Sequence, residues 1–142
     1  MKIITNSPQE TMKLGFKLGQ RLKKGDIINL NGDLGAGKTH LVKGIAKALK
    51  IDEDITSPTF TIVNEYYGEI PLYHFDVYRI NDIYELYEIG FEEYIYGDGV
   101  SIIEWGNLII DILPDDIINI NMKVIGEEKR EIEIINFGRE LI

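Results

Sequence analysis

Apolar residues near helical spacing open the chain, with Met12, Leu14, Leu18 and Leu22 following Ser7-Pro8-Gln9-Glu10. Serine caps a helix, proline fits its first position and glutamate closes a capping box, so a helix is expected from Pro8 to Lys23. Gly25 breaks it, and the apolar run within Asp26-Ile27-Ile28-Asn29-Leu30-Asn31 predicts a short strand buried on both faces, as in a parallel sheet. Gly32 to Gly37 form a loop. Leu41, Val42, Ile45, Ala46 and Leu49 mark a second helix from Lys38 to Lys50, whose late lysines suit the negative end of its dipole. Pro58 discourages helix in Thr56-Ser57-Pro58-Thr59, and the β-branched and aromatic runs Phe60 to Tyr67 and Pro71 to Tyr78 predict a hairpin around Gly68-Glu69. Asn81 to Tyr87 and Gly90 to Tyr96 read as short helices, and Val100 to Glu104 as an apolar strand after the Gly97-Asp98-Gly99 turn. A short helix over Leu108 to Leu113 is ended by Pro114. The alternating runs Ile117 to Ile125 and Arg130 to Ile135 then predict a second hairpin at a sheet edge.

Composition narrows the class. A chain of 142 residues with 44% hydrophobic and 27% charged side chains suits one folded domain, and no apolar run approaches the roughly 20 residues a membrane helix needs. The absence of cysteine excludes disulfides, zinc-thiolate sites and thiol nucleophiles, which fits a reducing compartment. Met1 to Asn6 lack the apolar core of a secretory signal, so a cytoplasmic protein is expected. A formal charge of −9 argues against a domain that grips nucleic acid alone, because such binding rests on basic surface that displaces counterions.

The chemistry concentrates in Gly32-Asp33-Leu34-Gly35-Ala36-Gly37-Lys38-Thr39, which fits the phosphate-loop pattern G-x-x-x-x-G-K-[ST] between an expected strand and an expected helix. Glycines let successive N–H groups curl around a phosphate while the helix points its positive end at the same anion. Lys38 would bridge the β- and γ-phosphates and the Thr39 hydroxyl would ligate Mg²⁺. The expected architecture is therefore an α/β P-loop NTPase-like sandwich over residues 1–142, a single domain with a mostly parallel central sheet, antiparallel hairpins and helices on both faces. Phosphoryl transfer also needs an acid near the metal. Glu104 ends the Val100 strand where a Walker B carboxylate would emerge, and Asp76 in His74-Phe75-Asp76-Val77-Tyr78-Arg79 could turn toward the same place. A solvated acid at a strand end is the plain alternative for each. His74 could orient a carboxylate or be merely structural, and Trp105 could pack near a nucleotide or in the core.

Four segments in this order, Gly32 to Thr39, Ser57-Pro58-Thr59-Phe60-Thr61, His74 to Arg79 and Ile103-Glu104-Trp105, resemble the TsaE (YjeE) family over about Ser7 to Arg130. These are bacterial P-loop ATPases needed for threonylcarbamoyladenosine synthesis on tRNA. The resemblance implies a slow, ATP- and Mg²⁺-dependent ATPase that joins the TsaD and TsaB proteins and supports repeated threonylcarbamoyl transfer to adenosine 37. It implies catalytic roles for Lys38, Asp76 and Glu104, magnesium binding by Thr39 and Glu104, and nucleotide contact by Thr11, Asp33, Leu34, Gly35, Ala36, Gly37, Lys38, Thr39, His40 and Arg130. Ser57-Pro58-Thr59 resembles the family's switch-like loop. His40 and Gly106-Asn107 depart from the family, which often has threonine at the first position and an acid two residues past the tryptophan.

A small P-loop kinase of metabolites or nucleosides is the rival enzyme, although no acceptor pocket or arginine-bearing lid is visible between Thr39 and Glu104. No N-K-x-D motif supports a GTPase. A non-catalytic ATP-dependent switch is the rival from another class. On any of these readings the acidic balance suggests that contact with tRNA runs through protein partners chosen partly by charge.

Overall fold

A computed structural model describes residues 1–58 and 61–141; the expected hairpin start at Phe60 and the Thr59 position lie outside the described residues. Twelve elements follow in order: β1 (Lys2–Thr5), α1 (Pro8–Arg21), β2 (Ile27–Gly32), α2 (Lys38–Ala48), β3 (Val63–Tyr66), β4 (Leu72–Asp76), α3 (Tyr84–Glu88), α4 (Phe91–Ile95), β5 (Val100–Glu104), a 3₁₀ segment (Gly106–Ile112), β6 (Ile118–Val124) and β7 (Arg130–Ile135). Half of the expected capping box forms: Ser7 Oγ accepts from Glu10 N at 3.1 Å, while Glu10 reaches back one residue further, to Asn6 N at 2.9 Å, rather than to the Ser7 N–H.

The seven strands form one sheet in the order β1-β7-β6-β2-β5-β4-β3. Strands β6, β2, β5 and β4 run parallel, while β3–β4, β6–β7 and β1–β7 are antiparallel. The second hairpin is therefore not at the sheet edge, because β1 pairs outside β7 with Ile3 opposite Ile132.

Side-chain alternation divides the apolar residues between two faces. Ile28 and Leu30 of β2, Ile102 of β5 and Ile120 of β6 pack under α1 and α2 with Leu14, Leu18, Leu41 and Ile45. Ile27, Phe75 and Ile103 face the other way, against Leu86 of α3, Phe91 and Ile95 of α4 and Ile109 of the 3₁₀ segment. Burying a side chain such as Leu18 or Leu41, neither of which is exposed at all, stabilises the fold by about 1.5–3 kcal/mol. Helices α1 and α2 cross closely because Gly15 and Gly44 meet face to face. A Cβ on Gly15 would collide with the Leu41 carbonyl, and one on Gly44 with the Met12 carbonyl.

Candidate functional site

The parallel strands β2, β5 and β4 all end at one edge of the sheet, where ligand crevices of α/β folds form. Leu30 pairs with Glu104 and Asp76 pairs with Glu104, so the two acids emerge side by side. They share their face with Leu30 and Ile102, which pack under α1 and α2. Alternation thus turns both carboxylates toward the start of α2, the arrangement that connects the chain's motifs.

Between β2 and α2 the loop turns at Gly35 (φ +82°) and Gly37 (φ +91°), conformations that side chains with a Cβ rarely adopt. A Cβ on Gly35 would meet nothing within 4 Å, so its conformation rather than lack of space calls for glycine there. Gly37 precedes α2 without any side-chain cap, which leaves the first N–H groups of an 11-residue helix without a side-chain acceptor. Lys38 Nζ lies 3.1 Å from Glu104 Oε1, and His74 Nε2 lies 2.6 Å from Glu104 Oε2. His74 is fully buried, its Nδ1 has no partner, and its Nε2 donates to the carboxylate. Burial pushes the Glu104 carboxyl up, but the bond and electrostatic pull of His74, with Lys38, outweigh it and hold the carboxyl below its ordinary range. The histidine is thus an orienter of Glu104.

Trp105 follows in a left-handed conformation (φ +64°), unusual for a bulky residue. Its exposed ring lies 5.7 Å from Lys38 Nζ and 4.7 Å from the Tyr78 ring. The tryptophan is accordingly a wall of the site rather than a core residue. Thr39 Oγ1 and Ser57 Oγ stand 3.2 Å apart, and Asp76 Oδ1 accepts from Tyr78 N at 3.0 Å.

A cleft of about 730 Å³ gathers Thr11, Leu34, Gly35, Ala36, Gly37, Lys38, Thr39, His40, Asp76, Glu104 and Arg130. Asp33 is not among its lining residues; it borders a neighbouring depression with Asn31, Asn107 and Asn121. Thr11 and Arg130 also have their polar groups engaged by the protein. The buried Thr11 hydroxyl lies 2.7 Å from that of Thr5. Arg130 donates to the Gly35 and Ala36 carbonyls at 3.1 and 3.2 Å and to Gly126, Glu127 and Lys129 in the β6–β7 turn, tying that turn to the loop. Leu34 is fully exposed at the loop tip. Pro8, Ile62, Ile80, Glu85 and Glu128 also line the cleft, and no local sequence pattern marks them because they arrive from separate elements. Arg79 stands with them.

The residue set fits a magnesium nucleotide. Among the described residues no cluster of three or more His, Asp or Glu could hold a metal alone. Hydroxyls at Thr39 and Ser57 beside two carboxylates instead suit a hard cation that draws its remaining oxygens from phosphate and water. The cleft is also of nucleotide size.

One α/β sheet with a glycine loop between β2 and α2, crossed by an acid on the adjacent strand, defines a P-loop NTPase-like protein. The profile of the family described as "Threonylcarbamoyl adenosine biosynthesis protein TsaE" matches residues 5–132. The chain belongs to the TsaE family. It is 42% identical to the tRNA threonylcarbamoyladenosine biosynthesis protein TsaE of Treponema pallidum over 94% of this chain and 99% of that one. The Bacillus subtilis protein of the same name is 43% identical over 97% of this chain and 87% of its own. A crystal structure of Bacillus subtilis YdiB superposes with a TM-score of 0.76 at 41% identity, covering 93% of this chain and 82% of that one. Among the described residues no helix is long and apolar enough to cross a membrane.

Proposed function

We propose that this chain acts in bacterial tRNA N6-threonylcarbamoyladenosine formation as a slow, cytoplasmic, Mg²⁺-dependent ATPase that supports turnover of a TsaD–TsaB transferase. On this reading residues 1–142 form one ATPase domain, and tRNA is reached through the assembly. Membership of the TsaE family supports the pathway. The observation that carries the ATPase reading is the Lys38–Glu104 pair, set at the uncapped start of α2 with Asp76 in register beside it.

Each group has a role that its surroundings permit. The N–H groups of Gly35 to Thr39 and the α2 dipole would hold phosphate oxygens, and Lys38 would pair with them. Mg-ATP supplies the γ-phosphoryl group and a divalent charge that offsets the charge on its oxygens. Thr39 and Glu104 would hold the metal or its waters. Kept ionised and fixed by His74, Glu104 is ready to accept that charge without moving. Asp76, its backbone N–H tied to the Ile62 carbonyl at 2.9 Å, would accept hydrogen bonds from the attacking water. Trp105 and Tyr78 would form the wall nearest the lysine.

Reconstituting tRNA modification with TsaD and TsaB, with and without this chain, tests the reading. Expected are many products per transferase only when this chain and ATP are both present, with ATP hydrolysis stimulated by the partners. A yield that does not depend on this chain would refute the role. Hydrolysis unmoved by the partners would favour a pure switch or a small-molecule kinase.

A further inference from the structure

Nine of the chain's 15 Lys and Arg residues lie between residues 13 and 50, where Asp26 and Asp33 are the only acids. Helices α1 and α2 carry Lys13, Lys17, Arg21, Lys43 and Lys47 at exposed positions against one exposed acid, Glu10 at the start of α1, so a protein of formal charge −9 carries a basic face on the side of the sheet these helices cover. On that face a groove of about 370 Å³ has Met12, Phe16 and Gly44 as its floor. Lys13, Lys17 and Lys47, all exposed, make its rim. Phe16 and Met12 are one helical turn apart and only half-buried, although the core beneath is complete without them. The tight crossing at Gly15 and Gly44 brings the two helices together and leaves this strip open between the lysines.

The arrangement opposes helix stability. Lys13 and Lys17, and likewise Lys43 and Lys47, are like charges four residues apart, and no acid lies among residues 34–51 to offset the second pair. We propose that this groove docks an acidic amphipathic helix of a partner protein, whose apolar residues at i, i+3, i+4 and i+7 enter the Met12–Phe16–Gly44 strip while its carboxylates meet the three rim lysines. Two features favour a protein helix over nucleic acid. A phosphate backbone meets cations across wet, polar surface, whereas this floor is apolar. Helix-in-groove recognition needs the combination present here, an apolar trough with one sign of charge along its edges. The groove stands apart from the nucleotide cleft, with which it shares no lining residue, so the proposal does not rest on ATP hydrolysis.

The test titrates the full chain, ¹⁵N-labelled, with a synthetic peptide of about 16 residues, roughly four helical turns, carrying Leu at the apolar positions and Glu elsewhere. Expected are saturable amide shifts at Met12, Phe16 and Gly44, a helical signal induced in the peptide, and binding that weakens with salt. The triple variant Lys13→Glu, Lys17→Glu, Lys47→Glu changes only exposed side chains and should weaken binding about tenfold or more while the protein stays folded. A second variant, Phe16→Ser, should weaken it without changing the charge. Absence of shifts with the acidic peptide, or equal binding by the triple variant, overturns the proposal. So does stronger perturbation of the same residues by a single-stranded RNA or by anionic phosphatidylglycerol vesicles, or concentration-dependent self-association through this face. Failure of ATP binding would leave these outcomes untouched.

Discussion

The two ends of the parallel sheet use the same chemistry for different purposes. At the end where β2 begins, Asp26 holds Arg139 through two hydrogen bonds of 2.5 and 2.9 Å, and Arg139 also caps the Arg21 carbonyl at 3.0 Å. That pair ties the C-terminal segment to the end of α1 and the start of β2, and its guanidinium lies 5.4 Å from the centroid of the Phe137 ring. At the opposite end Glu104 is just as firmly paired, with Lys38 and His74, yet its neighbours include a helix start with no side-chain cap and a glycine loop turned by positive φ. An ion pair whose surroundings are satisfied holds the fold. One set among groups still open to an anion is poised to exchange a partner, and exchange is what binding requires.

Substitution should separate the two ends. Lys38→Ala removes the one side-chain cation that Glu104 faces in the loop, and is expected to lower ATP affinity or turnover per folded molecule by about 100-fold or more. Trp105 emission offers the binding readout, because its ring stands beside Lys38. Unchanged affinity and turnover would place the functional end elsewhere. Glu104→Ala should reduce hydrolysis by about tenfold or more with a smaller effect on ATP binding, since an acid at the metal acts most on charge that develops during the reaction. Equal turnover would remove Glu104 from the chemistry.

How much of this contrast is legible in the sequence depends on how local each signal is. The glycine loop, the α1 capping box and the apolar run of β2 are local, and each element stands where its residues place it. Strand β1 is not: Lys2 to Thr5 carry no usable alternation, and their pairing is set by β7, about 130 residues away. Without β1, the β6–β7 hairpin reads as a sheet edge. His74 is similar, since its partner is fixed only by the β4–β5 register, and the sequence left its role open between orienting an acid and mere packing. Arg130 resembles a nucleotide contact, but its guanidinium already holds five carbonyls. Net charge averages over the chain: −9 suggests an acidic partner-choosing surface, while residues 13–50 already concentrate lysines on what become α1 and α2.

The non-catalytic end gives the next largest effect. Arg139→Ala should destabilise the fold by about 1–2 kcal/mol, because it removes a bidentate charged bond and leaves Asp26 facing a half-buried corner. Chemical denaturation measures this, and ATP turnover per folded molecule should not change. A loss of turnover at full stability would erase the distinction between the two ends.

Acid should reveal the remaining, smaller difference. Glu104 has a carboxyl held below its ordinary range, and a group of that kind adds stability that is fully present above its unfolded pKa, about 4.3, and is lost as pH falls through the lower folded value. In Glu104→Gln position 104 itself has no proton to take up. Below about pH 4.3 the wild-type chain should therefore lose stability more steeply than the variant. Parallel denaturation curves of the two proteins across that range measure the slope. Identical slopes would mean that His74 and Lys38 leave the Glu104 carboxyl as it is in the unfolded chain, and that its pairing at the functional end is no tighter electrostatically than a solvated contact.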